Sequence, residues 1–458
     1  MTVGGNLSKA FKIYGTPRQI VIACLGFSSA VPLVLVLSVL STWLAREGVD
    51  KSTIGLFAAM GTPYVLKFLW SPLVDRLPIF GLTRKIGRRR AWLFLSQIAV
   101  MVAILALGRS DPSAQVGLTA VMAFLVALAS ATQDIVVDAY RIEILTEEEQ
   151  GAGAAMINFG YRMGMIVSGS GVLILADHLS FSAVYQIAPV LVLVGMAAAA
   201  LYGEPSFRSS SEADEEEAEI RAILTQQGSK GRWAEIAAQT YMAVIAPFRE
   251  FMARRAWLLI LIFVMIYKLG DALAAVMIAP LLVELGFSNT EIGLANKLVG
   301  IIALIVGGFF GGGLLALIGM YRALLISGIL MMVTNLFFAV LAVSGHSVPV
   351  LAAAIAFENF ASGIGLTVFV AYLSNLCNLA FTATQYALLS SLTAVGRTWL
   401  STSAGYIVEA VGWAPFFIVT TVAALPGLAL LVWLWRAGFQ VDAAPLKIAG
   451  RHGKRQSA

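Results

Sequence analysis

Leu44-Ala-Arg-Glu-Gly48-Val-Asp-Lys-Ser-Thr-Ile54-Gly55-Leu56 returns 238 residues later as Leu282-Val-Glu-Leu-Gly286-Phe-Ser-Asn-Thr-Glu-Ile292-Gly293-Leu294. Both copies stand at the same kind of boundary. A long apolar run ends, a short polar stretch with a glycine turns the chain, and a second apolar run begins. Ala139-Tyr140 recurs as Ala371-Tyr372, Gln150 as Gln385 and Arg162 as Arg397, at offsets of 232 to 235. Matches at a nearly constant spacing point to an internal duplication, so the chain reads as two related halves.

Outward from these junctions the sequence divides into apolar runs of membrane-spanning length. About 20 apolar residues in a helix cross the hydrocarbon core. The runs fall at 19–44, 52–74, 91–108, 114–140, 152–176 and 182–202 (spans 1 to 6), then at 256–284, 290–317, 323–344, 348–376, 383–409 and 413–435 (spans 7 to 12). Of all residues 59% are hydrophobic and 12% charged. Soluble domains carry about 25% charged residues, so the solvent of this chain is lipid. The first run lacks a small-residue cleavage site and reads as a retained helix. Cys24 and Cys377 lie within apolar runs with no metal-ligand spacing and read as small buried hydrophobes.

Lys and Arg set the orientation. With the N-terminus in the cytoplasm, 23 of the 31 positives fall inside and three (Arg46, Lys51, Arg109) outside, the other five lying within spans. Both termini are therefore predicted to be cytoplasmic. The organisation is an N-terminal six-helix bundle (1–202), a cytoplasmic linker (203–255), a C-terminal six-helix bundle (256–436) and a basic tail (437–458). The linker begins with acidic Glu212-Ala-Asp-Glu-Glu-Glu217, predicted mobile. It continues with Trp233, Ile236, Ala237, Thr240, Val244 and Phe248 on one helical face, an interfacial amphipathic segment interrupted by Pro247.

Two six-helix halves related by an axis along the membrane normal resemble the all-α architecture of the major facilitator superfamily, which implies a ligand site between the halves near the bilayer midplane. The glycines of 160–171 and 307–313 suit close helix packing and not a phosphate loop.

Ionisable groups inside spans are costly and face a wet cavity or a partner. Here they are Lys67, Asp134, Arg162, Lys268, Asp271, Lys297, Glu358 and Arg397, with Asp138 nearer the cytoplasmic edge. Helical rise puts Arg162, Lys268, Glu358 and Arg397 about 15–21 Å into spans 5, 7, 10 and 11, close to the midplane. Arg162 and Arg397, equivalent in the repeat, either clamp an anionic ligand through their forked guanidiniums or are locked by acids such as Asp134 and Glu358. On span 4, Asp134, Asp138 and Arg141 share one face. Asp134 is a candidate proton carrier or part of a gate, and Asp138 and Arg141 are candidate cytoplasmic gate residues. Lys268 and Asp271, at i and i+3, form either a structural pair or a proton switch. The loop from Asp75-Arg76 to Arg88-Arg89-Arg90 resembles a stretched form of the superfamily's Gly-x-x-x-Asp-Arg-x-Gly-Arg-Arg lock. It makes Asp75, Arg76 and Arg88 gate candidates.

Finer motifs point further. Gly61-Thr-Pro-Tyr-Val-Leu-Lys-Phe-Leu-Trp-Ser-Pro-Leu-Val-Asp75-Arg76, Gly87-Arg-Arg-Arg-Ala-Trp92, Ala131-Thr-Gln-Asp-Ile-Val-Val-Asp-Ala-Tyr-Arg141, Gly160-Tyr-Arg162, Tyr267-Lys-Leu-Gly-Asp-Ala272 and Gly286-Phe-Ser-Asn-Thr-Glu-Ile-Gly293 resemble the AmpG-type muropeptide permeases of Gram-negative bacteria. The resemblance covers roughly 19–435. It implies import of anhydro-muropeptides across the inner membrane for peptidoglycan recycling, driven by the proton-motive force with no bound cofactor, and a link to β-lactamase induction. Such a substrate is large, polar and anionic. Gln133, Asn158, Asn359 and Gln385 are candidates to hydrogen-bond it, beside Arg162, Arg397, Glu358 and Tyr161, and Trp43, Tyr64, Tyr161 and Trp399 to stack on its sugars.

The same sequence admits two other readings: a non-transporting scaffold for pigment complexes, and a carrier of another bulky anion such as acetyl-CoA. Catalysis is not expected. No HExxH or nucleophile elbow occurs, and His178, His346 and His452 sit in loops or the tail. Nothing in the charge pattern suggests nucleic acid as a partner, and the sequence leaves the oligomeric state open.

Overall fold

The computed structural model describes residues 13–49, 53, 57–205, 241, 245–400 and 403–438, with the side chains at 58–59, 289–290, 293, 296–298 and 396–400 excepted. The amphipathic segment proposed for the linker lies almost wholly outside them, as do the acidic stretch and the basic tail.

Among the described residues, ten helices are long and apolar enough to cross a membrane. They are Pro17–Arg46 (span 1), Arg88–Leu107 (3), Val116–Ile144 (4), Glu147–Ala176 (5), Phe181–Tyr202 (6), Trp257–Glu284 (7), Ile301–Ile318 (8), Met320–Ser344 (9), Val348–Asn375 (10) and Trp413–Arg436 (12). The remaining two predicted spans are helical but fall short of that standard for visible reasons. Span 2 is broken into Phe57–Gly61, Thr62–Leu66, Lys67–Leu69 and Ser71–Arg76. Pro63 and Pro72 each open a new helical segment, where their missing N–H is not needed. Span 11, Thr382–Leu400, followed by Ala404–Val411, is apolar, but its part with described side chains, Leu379–Val395, is shorter than that standard.

Outward-facing Ile98, Val102, Val121, Val190, Ile302, Phe310 and Val340 are exposed on the bundle flanks. So continuous an apolar exterior belongs against acyl chains, since a soluble protein rarely exposes such patches. Within the N-terminal half, span 1 packs on spans 4, 5 and 6; within the C-terminal half, span 10 packs on 8 and 9, and span 12 on 7 and 9. The halves meet where span 5 packs on 8 and 10 and where span 11 packs on 2 and 4. Small residues permit the closest approaches. A Cβ on Gly160 would sit 1.9 Å from the Ala23 carbonyl oxygen on span 1, and one on Gly307 would sit 2.1 Å from that of Phe360 on span 10.

Candidate functional site: a charged cavity above a sealed face

A cavity of about 520 Å³ opens between the halves. Spans 7, 10 and 11 supply most of its wall, with Arg162 from span 5 and Leu304 from span 8 completing it. Its size falls in the range of small-ligand sites. Arg162, Lys268, Asp271, Glu358 and Asn359, separated in sequence by up to 197 positions, all line it. Two cations thus face two carboxylates.

Local structure explains how each group reaches the cavity. Span 7 is interrupted at Tyr267–Lys268, between Trp257–Ile266 and Leu269–Glu284. Tyr267 is anchored by donating its hydroxyl to the Leu324 carbonyl at 2.8 Å, and Asp271 falls in the first turn of the new helix. On span 10, Asn359 donates to Glu358 Oε2 at 2.7 Å, and the Ser362 hydroxyl, one turn on, lies 3.1 Å from Glu358 Oε1 and 3.2 Å from Asp271 Oδ2. Arg162 sits one turn before a π-helical segment, Ile166–Gly171, and its guanidinium makes a weak contact to Met165 Sδ at 3.5 Å. Among the described residues no acid pairs with it. The side chain of Arg397, its repeat counterpart, lies outside the described residues, so the proposed arginine pair is represented by Arg162 alone.

Asn158 lines a small adjoining gap with Arg162, and its Nδ2 finds no hydrogen-bond partner among the described residues. Gln133 and Gln385, expected to contact substrate, do not reach the cavity. Gln133 is fully buried and donates to Ser28 Oγ at 3.3 Å. Gln385 is consumed by the linker's last helix, Ala246–Ala253. It accepts from Asn378 N at 2.7 Å and donates to the Pro247 carbonyl at 3.0 Å and to Glu250. Trp43 is packing: it stacks on Phe181 and donates to Glu47. Tyr161 and Asp134 are absent from the cavity wall, Asp134 lying on span 4 one turn from Asp138.

At the positively charged end of the bundle the halves are tied together. Asp75 accepts from Arg89 at 2.8 Å on its own half, and from Ala383 N (3.1 Å), Thr384 N (2.7 Å) and Thr384 Oγ1 (2.7 Å) on span 11. Arg89 is held on its other side by Glu143 of span 4. Arg88, the other gate candidate of this loop, donates to the Asp75 backbone carbonyl, the carboxylate already having four donors. Arg76 lies over the Phe381 ring. Arg141 is fully buried, donates to Ser374 Oγ of span 10 at 3.0 Å and stacks over Tyr386 of span 11. Asp138 pairs with Lys67 at 3.6 Å and with Arg141 at 3.9 Å. Glu143, Thr384 and Ser362 are functional candidates that the sequence reading missed. For Ser362 the available signal was its position four residues after Glu358, on the same helical face.

The Major Facilitator Superfamily profile matches residues 20–270. The anhydromuropeptide permease of Escherichia coli K12 is 40% identical over 93% of this chain and 81% of its own length. The putative transporter AmpG 4 of Rickettsia felis is 37% identical over 93% of this chain and 98% of its own. Among solved structures, the proton:xylose symporter XylE superposes with a TM-score of 0.65 at 11% identity, covering 96% of this chain and 98% of its own. FucP does so at 0.63 and 14% identity, covering 92% and 99%. This chain belongs to the major facilitator superfamily and, within it, to the AmpG-type permeases, a family of multi-pass membrane transporters and not of enzymes.

Proposed function

We propose that this protein imports anhydro-muropeptides from periplasm to cytoplasm across the bacterial inner membrane by alternating access, using the proton gradient as its energy source. The observation that carries the reading is the cavity, walled by the C-terminal half, met by Arg162 from the N-terminal half, and lined by Lys268, Asp271, Glu358 and Asn359. A cell-wall fragment bears carboxylates, amides and hydroxyls. Arg162 suits a carboxylate, and the Asn359 amide suits amide and hydroxyl groups. The excess of Lys and Arg on one side supports a cytoplasmic location for both termini and for the sealed face. The arrangement is then open toward the periplasm, the state that loads substrate for import. The 40% identity to a permease of this specificity supports the substrate class.

The test is uptake of labelled GlcNAc-anhydroMurNAc-peptide into proteoliposomes of purified protein. Accumulation under an inward proton gradient, absent without the gradient, is expected. A protein that binds the fragment but never moves it, gradient or not, would favour the scaffold reading. Transport of acetyl-CoA in place of the fragment would favour the other.

A further inference from the structure

The contact between Asp271, Ser362 and Glu358 has an unusual proton inventory. A serine hydroxyl carries one hydrogen and two lone pairs. Ser362 Oγ is nevertheless within hydrogen-bond distance of two carboxylates on different spans, Asp271 Oδ2 at 3.2 Å and Glu358 Oε1 at 3.1 Å. With both acids ionised, Ser362 donates to one and turns a lone pair toward the other, and two negative charges share a half-buried wall. One added proton resolves both problems. The protonated acid donates to Ser362 Oγ, and Ser362 donates its own hydrogen to the remaining carboxylate.

We propose that Asp271, Ser362 and Glu358 form a single-proton site and that Glu358 carries the proton, with Ser362 as the positioning residue. This rests on the proton-coupled reading above and assigns its ion to the C-terminal half, in place of Asp134. Asp271 is the acid that stays charged, because it lies in the first turn of the helix Leu269–Glu284, where free backbone N–H groups favour a negative side chain. Glu358 sits in the middle of the long helix Val348–Asn375, away from the free N–H groups of a helix terminus, and the donors the structure gives it are the side chains of Asn359 and Ser362. The remaining charged or titratable groups of the cavity wall are Lys268 from span 7, Arg162 from span 5 and Tyr386 from span 11. Arg322 of span 9 stands at the far end of its helix, and the side chain of Lys297 on span 8 lies outside the described residues.

The site also has a mechanical link. Asp271 lies just past the interruption of span 7 at Tyr267–Lys268. Loss of the proton from Glu358 to water removes one of the two hydrogen bonds through Ser362 and restores repulsion between spans 7 and 10. The upper segment of span 7 is then free to move about the interruption. Proton occupancy and the position of a cavity wall thereby become coupled.

Two measurements test this. In infrared difference spectra of the purified, substrate-free protein between acid and alkaline pH, wild type should show one protonated-carboxyl band. Glu358→Gln should remove it, Asp271→Asn should leave a band, and Ser362→Ala should shift its titration midpoint. A band that persists in Glu358→Gln overturns the proposal, and this readout needs no substrate to be correct. In proteoliposomes, Glu358→Gln should lose gradient-driven accumulation by at least about tenfold and retain counterflow exchange of the fragment. Unaltered accumulation, or loss of exchange and binding together, would instead make Glu358 dispensable or a ligand contact. If wild type fails to move the fragment, the substrate assignment fails and the infrared result still decides the proton site.

Discussion

The sealed face and the cavity use the same residue types to opposite ends. At the sealed face, Asp75 is 1% exposed and surrounded by donors from both halves, and Arg89 lies between two carboxylates. In the cavity, the Arg162 guanidinium makes a weak thioether contact and meets no acid among the described residues, and one serine hydroxyl is shared between Asp271 and Glu358, the latter also accepting from Asn359. Saturated polar groups hold an interface shut, because opening it strands each partner. Unsaturated ones leave valence for a ligand or a proton. In this molecule the contrast is sharpest between Asp75 and Arg89, whose hydrogen bonds are filled, and Arg162, whose guanidinium meets no acid among the described residues.

Breaking the saturated end should have the largest effect. Asp75→Ala strands Arg89 and three donors of span 11, and removal of one partner from a buried pair costs about 3–5 kcal/mol. The expected result is a lower melting temperature and access of thiol reagents to the cavity from the positively charged side, measured on a cavity cysteine. Unchanged stability with unchanged access would show that Asp75 does not lock the halves. Next, Arg162→Ala should leave expression and membrane insertion intact and weaken fragment binding roughly ten- to hundredfold, the worth of a charge-assisted hydrogen bond of about 1.5–3 kcal/mol. Isothermal titration on the detergent-purified protein reads this directly, and wild-type affinity would remove the anion contact. The smallest effect sharpens the contrast between two amides. Asn359→Ala should raise the apparent KM severalfold, whereas Gln133→Ala should lower stability by about 1 kcal/mol and leave KM alone. Equal effects on KM would mean that burial does not separate them.

Much of the architecture was legible from periodicity and repeats. Span boundaries read from apolar runs fall within a few residues of the helices, and the matched junctions at 44–56 and 282–294 announced two halves. Where the reading of span 2 strained, the reason is local chemistry: Pro63 and Pro72 break it into short segments.

The site was legible only in part. Intramembrane charges identified Arg162, Lys268, Asp271 and Glu358 as cavity groups, because burying a charge demands a polar environment. The neutral polar residues were not so readable. An amide such as Gln133 or Gln385 is cheap enough to bury in a packing contact, and only coordinates reveal whether it meets Ser28, Pro247 and Glu250 or water. The repeat misled in one respect. Gln150 and Gln385 are matched in position, but Gln150 donates within its own half to the Ile142 carbonyl at 3.0 Å, whereas Gln385 fastens the linker helix. Which arginine of 88–90 would meet Asp75 depends on how the loop turns, and residue type does not encode that.

The central claim is that the ligand enters the cavity walled by spans 5, 7, 10 and 11 from the side opposite the sealed face. The most direct test places one cysteine at Ser390, on the cavity wall, in a chain whose Cys24 and Cys377 are replaced by Ala. A membrane-impermeant maleimide should label it from the periplasmic side in spheroplasts, and saturating anhydro-muropeptide should block the labelling. Labelling that ignores the fragment, or that occurs only from the cytoplasmic side of inverted vesicles, would contradict the account.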